Sequence, residues 1–331
     1  MKRLRAIAHL MALSLDDLFT SPDHYLHSFE GDAALFMLMD RAAYHRSIFL
    51  DARISAAGGT MRVPVAAFPE QVRQPAPIGW IFHIAHCGST LLARALDQPT
   101  TNLVLREPLA LRQLALTPDP QKLALTAAML SKRYRADLPT IVKANVPVNF
   151  LLPNLVGLDP QVHAIFLHYG LRDYLLAILR TEDHRAWLRR VTTQLAGHLG
   201  DLSPLPDAER AAALWLAQMR AFAMAIAALP HARSLDAETF FAAPRRILGL
   251  AAAQLEVPIT DAEIEAQVAG PLFATSSKNP ELAFNNDARL ARRSALERSL
   301  AGELDQAQNW IDRASEAAPA LAAVAAAGLE A

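Results

Sequence analysis

The chain has 331 residues, 52% of them apolar and 20% charged, with a formal net charge of −1. That length suits one large α/β domain with an appendage or two modest domains, and the balanced charge offers no global field for nucleic acid or an anionic membrane. Cys87 is the single cysteine, which excludes an internal disulfide framework and any multi-cysteine metal site and fits a reducing, cytoplasmic setting.

Lys2-Arg3-Leu4-Arg5 followed by the apolar stretch Ala6 to Leu15 imitates an export leader. His9 inside that stretch, no clear small-residue cleavage site, and Asp16-Asp17 directly after it predict an amphipathic first helix instead. No run of about 18 uninterrupted apolar residues predicts a membrane span. Residues 1–75 read as a mostly helical extension, with Ala33 to Tyr44 helix-like, Ser47 to Asp51 a short strand and Gly58-Gly59 a turn. Gln71 to Pro77, with prolines at 69, 75 and 77, reads as a linker.

A βα rhythm then begins. Strand Trp80 to Ile84 leads to helix Ser89 to Leu96, and strand Asn102 to Leu105 leads through Arg106-Glu107-Pro108 to helix Leu109 to Leu116. Strands Thr140 to Lys143 and His163 to Leu167 follow, then a helix from Leu171 to Leu179. A long alanine-rich helix covers 207–229, Ala232 to Leu235 supplies a last strand, and Pro244 to Gln254 is a helix with proline in its first turn. Short apolar strands alternating with helical patterns predict a three-layer α/β domain over residues 76–312. Its sheet is mainly parallel, with helical additions before and after it. Residues 313–331 form an alanine-rich tail.

The most informative segment is His86-Cys87-Gly88-Ser89-Thr90, between a buried strand and a helix. A glycine turn at a helix start aims backbone N–H groups and the positive end of the helix dipole at one point, which suits a phosphate or sulfate. The Ser89 and Thr90 hydroxyls add donors. Ser89 stands where a Walker A loop carries its lysine, and no Walker B aspartate closes strand 163–167, so an ATP- or GTP-dependent kinase is disfavoured. Cys87 at a helix start is expected to have a lowered pKa. Glu182-Asp183 with His184 reads as surface loop, and His83 with His86 makes a poor metal pair, so no metal is expected.

The loop resembles the 5′-phosphosulfate loop of the sulfotransferases, and further segments follow in that family's order. Glu107-Pro108 resembles the Glu-Pro whose glutamate serves some members as base. Ile141 to Pro147 resembles the Lys-Thr-His-Leu-Pro segment, with Asn145 at the histidine position. Ile165 to Asp173 resembles the strand-turn-helix that holds the 3′-phosphate, with Tyr169 at an arginine position and Ala177 at a serine position. Ser234 to Leu248 resembles the late strand-loop-helix. The similarity spans roughly residues 78–312. It implies a fold related to nucleotide kinases, a P-loop, and a donor of 3′-phosphoadenosine 5′-phosphosulfate serving a small-molecule or peptide acceptor.

Carried onto this chain, the resemblance gives Glu107 as general base and His86 with Lys143 as charge stabilisers. His86 would act only when protonated, with activity falling as pH rises through its pKa. His86, Cys87, Gly88, Ser89 and Thr90 would hold the 5′-phosphosulfate. Arg172, or Lys278 and Arg289 reaching in from a late loop over 276–293, would take the 3′-phosphate. Two plainer readings accompany these: Arg172-Asp173 as a local ion pair, and Lys278, Arg289, Arg292 and Arg293 as a solvated face. The alternative function is a non-catalytic protein of the same fold that binds a nucleotide, a peptide or a partner.

Overall fold

A computed structural model describes residues 14–68, 74–98, 100, 102–314 and 317–330. Most of the helix expected over residues 6–15, and the Gln71 end of the expected linker, lie outside them.

The amino-terminal unit is not mostly helical. Strands β1 (His24–Glu30), β2 (Ala33–Leu38) and β3 (Thr60–Pro64) form an antiparallel sheet in the order β1-β2-β3. A two-residue turn, Gly31-Asp32, joins Glu30 to Ala33, with Gly31 at φ 60°. Glycine is suited to that conformation, and the turn reverses the chain where helix propensity alone would have continued it. The helix-like run from Ala33 therefore becomes a strand and then a short helix, Arg41–Arg46, capped by the Asp40 carboxylate. Ser47 to Asp51 is irregular, not a strand.

The main sheet has five strands, all parallel: β4 (Ile78–His83), β5 (Leu103–Arg106), β6 (Thr140–Lys143), β7 (His163–His168) and β8 (Ala232–Asp236). Their order is β5-β6-β4-β7-β8, with helices packed on the sheet to give the expected three-layer α/β arrangement. Every residue of β4, β5 and β6 is buried, which is why these strands read as continuous apolar runs. The chain places β5 and β6 on one side of β4 and then crosses to place β7 and β8 on the other, so the carboxyl end of β4 is a switch point of the kind where ligands bind in open α/β sheets.

Helix Asp207–Ala228 is long and apolar enough to cross a membrane by length and composition, but 67% of its apolar window is buried inside the protein. It carries Trp215, whose Nε1 donates to the Tyr169 carbonyl at 3.0 Å, and the fully buried Gln218. Helices Asn286–Ser299, Ala301–Asp312 and Ala317–Ala326 supply the expected carboxyl-terminal cap.

Arg106 ties the amino-terminal unit to the main sheet. It is 1% exposed and donates to Asp97 Oδ2 at 2.5 Å, to the Tyr44 carbonyl at 2.6 Å and to the Ser47 carbonyl at 3.1 Å. A buried guanidinium is tolerated only with its charge and its donors matched in this way. Replacing it, Arg106→Met, leaves the Asp97 carboxylate to Arg41 and His45 and takes the donor from the Tyr44 and Ser47 carbonyls, so urea unfolding should report a loss of about 2–4 kcal/mol. A loss under about 1 kcal/mol would contradict this anchoring.

Candidate functional site

Three adjacent strands bring their carboxyl ends together. Lys143, the last residue of β6, is in register with Ile81 of β4 on one side and Arg106 of β5 on the other. His83 closes β4, and Glu107 follows β5 with its N–H bonded to the Lys143 carbonyl at 2.7 Å. The Lys143 ammonium donates to Glu107 Oε1, and Lys143 has no solvent exposure. Lys143 is thus a buried partner of Glu107, not a solvated strand end.

Beyond β4 the chain makes a tight nest. His86 stands at φ 63° and Gly88 at φ 85°, two left-handed residues flanking Cys87. Such an alternation turns successive N–H groups toward one concavity. Among the described residues, no oxygen accepts a hydrogen bond from the N–H groups of Ala85, His86, Gly88 or Thr90. The Thr90 hydroxyl is buried and also has no partner. Unengaged donors at the start of helix Ser89–Ala95 make a site that fits an oxyanion. Gly88 is required twice: its φ is left-handed, and a Cβ there would sit 2.8 Å from the Phe241 ring.

Left-handed backbone is costly for residues other than glycine, by about 1–2 kcal/mol each, and tends to collect at functional sites. Three such residues are described, His86, Glu107 and Glu256, and two of the three belong to this site.

The electrostatics differ from the sequence expectation at two positions. Burial first, and then Lys278, holds the His86 imidazole well below its ordinary pKa, so His86 is neutral and its contribution is not a positive charge. Its ring packs against His184 at 4.4 Å and Trp187 at 5.8 Å between centroids. Burial likewise pushes the Cys87 thiol up to about 12, because Sγ points inward and donates to the Ile84 carbonyl at 3.0 Å. Being next to a helix start does not lower a pKa when the sulfur faces the core. Cys87 borders the site through its main chain only.

Glu107 keeps its charge. Burial is the largest single influence and would raise it, but Lys143, joined by His83 and Lys278, sets the carboxyl below the usual range. Lys278 lies in the turn between β9 (Thr275–Ser276) and β10 (Asn279–Ala283), and Arg94 of the loop helix holds that turn by donating to the Ser277 carbonyl at 2.9 Å. Its ammonium acts on Glu107, His83, His86 and Cys87 at once. The side chain retains solvent contact, yet surrounding protein and then Lys143 lower its pKa.

The other expected ligands are engaged in ion pairs. Residues 276–293 are not a loop but the β9–β10 hairpin followed by helix Asn286–Ser299. Arg289 is held by both Glu238 oxygens at 2.6 and 2.8 Å and lies over Phe241 at 4.5 Å. Arg172 meets Glu297 at 3.2 Å while Asp173 meets Arg293 at 2.7 Å, so Arg172 and Asp173 are not each other's partner. Arg289 and Arg293 are ion-paired into the fold; they are not a freely solvated face.

Sequence reasoning missed Arg180, His184, Trp187 and Phe241. Glu182 to His184 is not a surface loop but the start of helix Glu182–Gln194, capped by Thr181. Arg180 Nη2 donates to His184 Nε2 at 2.8 Å, which presents a guanidinium beside His86. The Thr181-Glu182-Asp183 start was a readable helix signal, but the stacking of His184 on His86 had none. Among the described residues no group of three or more His, Cys, Asp or Glu side chains is placed to hold a metal. A separate cavity of about 250 Å³, lined by Arg41, Arg133, Tyr134 and Arg135, opens by the opposite ends of β5 and β6.

No protein-family model matches the chain, and no curated protein matches it. A sulfotransferase domain from the curacin biosynthetic pathway is similar in structure. Its TM-score is 0.41 at 14% identity, and the alignment covers 64% of this chain and 84% of that one.

The enclosed sulfur yields a direct check. Native protein at about pH 8 should resist iodoacetamide at Cys87, whereas urea-unfolded protein should be alkylated promptly, as read by mass spectrometry. Rapid alkylation of the native form would mean that Sγ faces the cleft.

Proposed function

We propose that the chain transfers a sulfuryl group from 3′-phosphoadenosine 5′-phosphosulfate to a hydroxyl or amine. The observation carrying this reading is an unengaged amide nest, with the orphaned Thr90 hydroxyl, set beside an ionised Glu107 held by a buried lysine. The resemblance of the loop and of Glu107-Pro108 to the sulfotransferases supplies the choice of donor. Ser89 in place of a Walker lysine, and a site that gathers cations with one carboxylate, argue against a magnesium-dependent kinase.

Sulfuryl transfer needs in-line alignment and stabilisation of the charge that grows on the leaving phosphate, more than covalent help from the protein. In this reading the amides of residues 86–90 and Thr90 Oγ1 hold the 5′-phosphosulfate, and Lys278 faces the charge that develops there. Glu107 takes the acceptor's proton. Because its carboxyl sits low, the proton moves as the bond to sulfur forms and the acceptor grows more acidic. Lys143 keeps Glu107 ionised and aimed. His86 and Cys87 contribute their main-chain N–H groups, and the His86 ring packs the loop against His184 and Trp187.

A second reading draws on the placement of Arg172 and Arg289, which are engaged by Glu297 and Glu238: a binding protein without catalysis, accepting an anion that lacks a 3′-phosphate. Calorimetric titration separates the two. The enzyme reading expects 3′-phosphoadenosine 5′-phosphate to bind and ATP·Mg²⁺ not to. Lys278→Met should weaken that binding about tenfold to hundredfold. Glu107→Gln should leave affinity nearly intact and cut turnover by about 100-fold or more. With a hydroxyl acceptor, which does not titrate in this range, turnover should stay level as pH falls from about 8 to about 5, and drop only as the pH falls through the depressed Glu107 pKa, below the ordinary glutamate value of about 4.3. Failure of the bisphosphate to bind removes the donor; undiminished turnover in Glu107→Gln removes Glu107 from the chemistry.

A further inference from the structure

His83 is buried, 5% exposed, and sits beside the proposed base without entering the mechanism above. Its Nδ1 lies 2.7 Å from the Ile84 carbonyl oxygen. A carbonyl only accepts, so Nδ1 carries the hydrogen and Nε2 keeps its lone pair. Burial, and after it Lys143, push the ring's pKa down to about 3 against the pull of Glu107, which leaves it neutral. Nε2 has no hydrogen-bond partner, and it stands 4.0 Å from Glu107 Oε1. Asn149 fixes the position from behind, donating to the His83 carbonyl at 3.0 Å and to Gln218 Oε1 at 2.9 Å.

Two acceptors thus stand side by side, neither with a hydrogen to offer the other. Resting on the sulfuryl-transfer reading, we propose that His83 Nε2 and Glu107 Oε1 together seat the acceptor atom, and that this atom is the uncharged nitrogen of a primary amine. A nitrogen about 2.9 Å from each sees them about 90° apart, within reach of its two N–H bonds. Its lone pair then remains for sulfur. A hydroxyl has one hydrogen, and giving it to Glu107 leaves His83 Nε2 buried and bare, the arrangement by which polar sites reject a wrong substrate. An alkylammonium has no lone pair and would bring positive charge beside Lys143 and Lys278.

In the step, the nitrogen–sulfur bond forms as the bond between sulfur and the bridging phosphate oxygen breaks. Adenosine 3′,5′-bisphosphate leaves with that electron pair. One nitrogen proton passes to Glu107, and the product is a sulfamate. His83 binds and orients the amine through its second N–H and takes no proton.

Aniline and phenol test this, being matched rings that are both uncharged at neutral pH. Calorimetry on the protein alone, and on the protein carrying 3′-phosphoadenosine 5′-phosphate, should show aniline bound about tenfold more tightly than phenol. With the sulfated donor, aniline should yield the sulfamate. His83→Phe should erase the preference while the bisphosphate binds as before, and His83→Gln, which restores an acceptor oxygen, should recover part of it. Phenol binding as tightly as aniline, binding of neither, or a preference that survives His83→Phe overturns the proposal. A preference lost in His83→Phe on protein that does not bind the bisphosphate would keep the amine seat and reject the donor.

Discussion

The buried ion pair between Lys143 and Glu107 is the interaction on which the site depends. A lysine with no exposure at the end of a central strand costs several kcal/mol to desolvate, and its partner carboxylate recovers that only with close, fixed geometry. The geometry is fixed by the sheet. Register sets Lys143 between Ile81 and Arg106, and the Glu107 N–H bonds back to the Lys143 carbonyl, so the carboxylate is delivered by a left-handed residue that would not otherwise persist. The Phe49 ring, 5.7 Å from the ammonium, lines the same enclosure. Through this pair Glu107 stays ionised and the strand ends keep their spacing, while burial, and after it Lys143, keep His83 neutral.

Around that pair the site separates two electrostatic tasks. The nest at residues 86–90 offers main-chain hydrogens in a fixed array, which costs little reorganisation when a charged guest arrives. Positive charge comes from side chains, with Lys278 on a hairpin tethered by Arg94 and Arg180 beyond His184. His86, although it stands at a basic position in the resembling family, is a packing residue here. The arginines of helix Asn286–Ser299 build the wall instead of lining the floor: Glu238 holds Arg289, Arg289 lies over Phe241, and Phe241 covers Gly88.

Much of the main sheet was legible because parallel strands buried on both faces are written as apolar runs separated by helical periods. Thr140–Lys143, Leu109–Leu116 and Pro244–Gln254 fall where the sequence puts them. The amino-terminal sheet was not legible in the same way. Ala33 to Leu38 is built of residues that favour helix, and strand form is imposed by the Gly31-Asp32 reversal and by pairing with β1 on one side and β3 on the other. At the site, Gly88, Thr90, Glu107 and Lys143 were visible because the turn and strand ends carry local signatures. What escaped was everything set by tertiary packing. Cys87 was expected to have a lowered pKa from its place at a helix start, and His86 to carry charge from its match to a basic position of the resembling family, and burial opposes both. In the sequence His83 stands out only as half of a poor metal pair with His86, and three-dimensional neighbours reveal its bare nitrogen.

The central claim is that free amides around Gly88 and a clamped carboxylate face one doubly charged guest. A crystal structure of the chain grown with 3′-phosphoadenosine 5′-phosphate measures this directly. It should place 5′-phosphate oxygens within hydrogen-bond distance of the main-chain nitrogens of residues 86–90 and of Thr90 Oγ1, with Lys143 still on Glu107. A nucleotide bound elsewhere, or those nitrogens closed off by Phe241 in a crystal saturated with ligand, would contradict it.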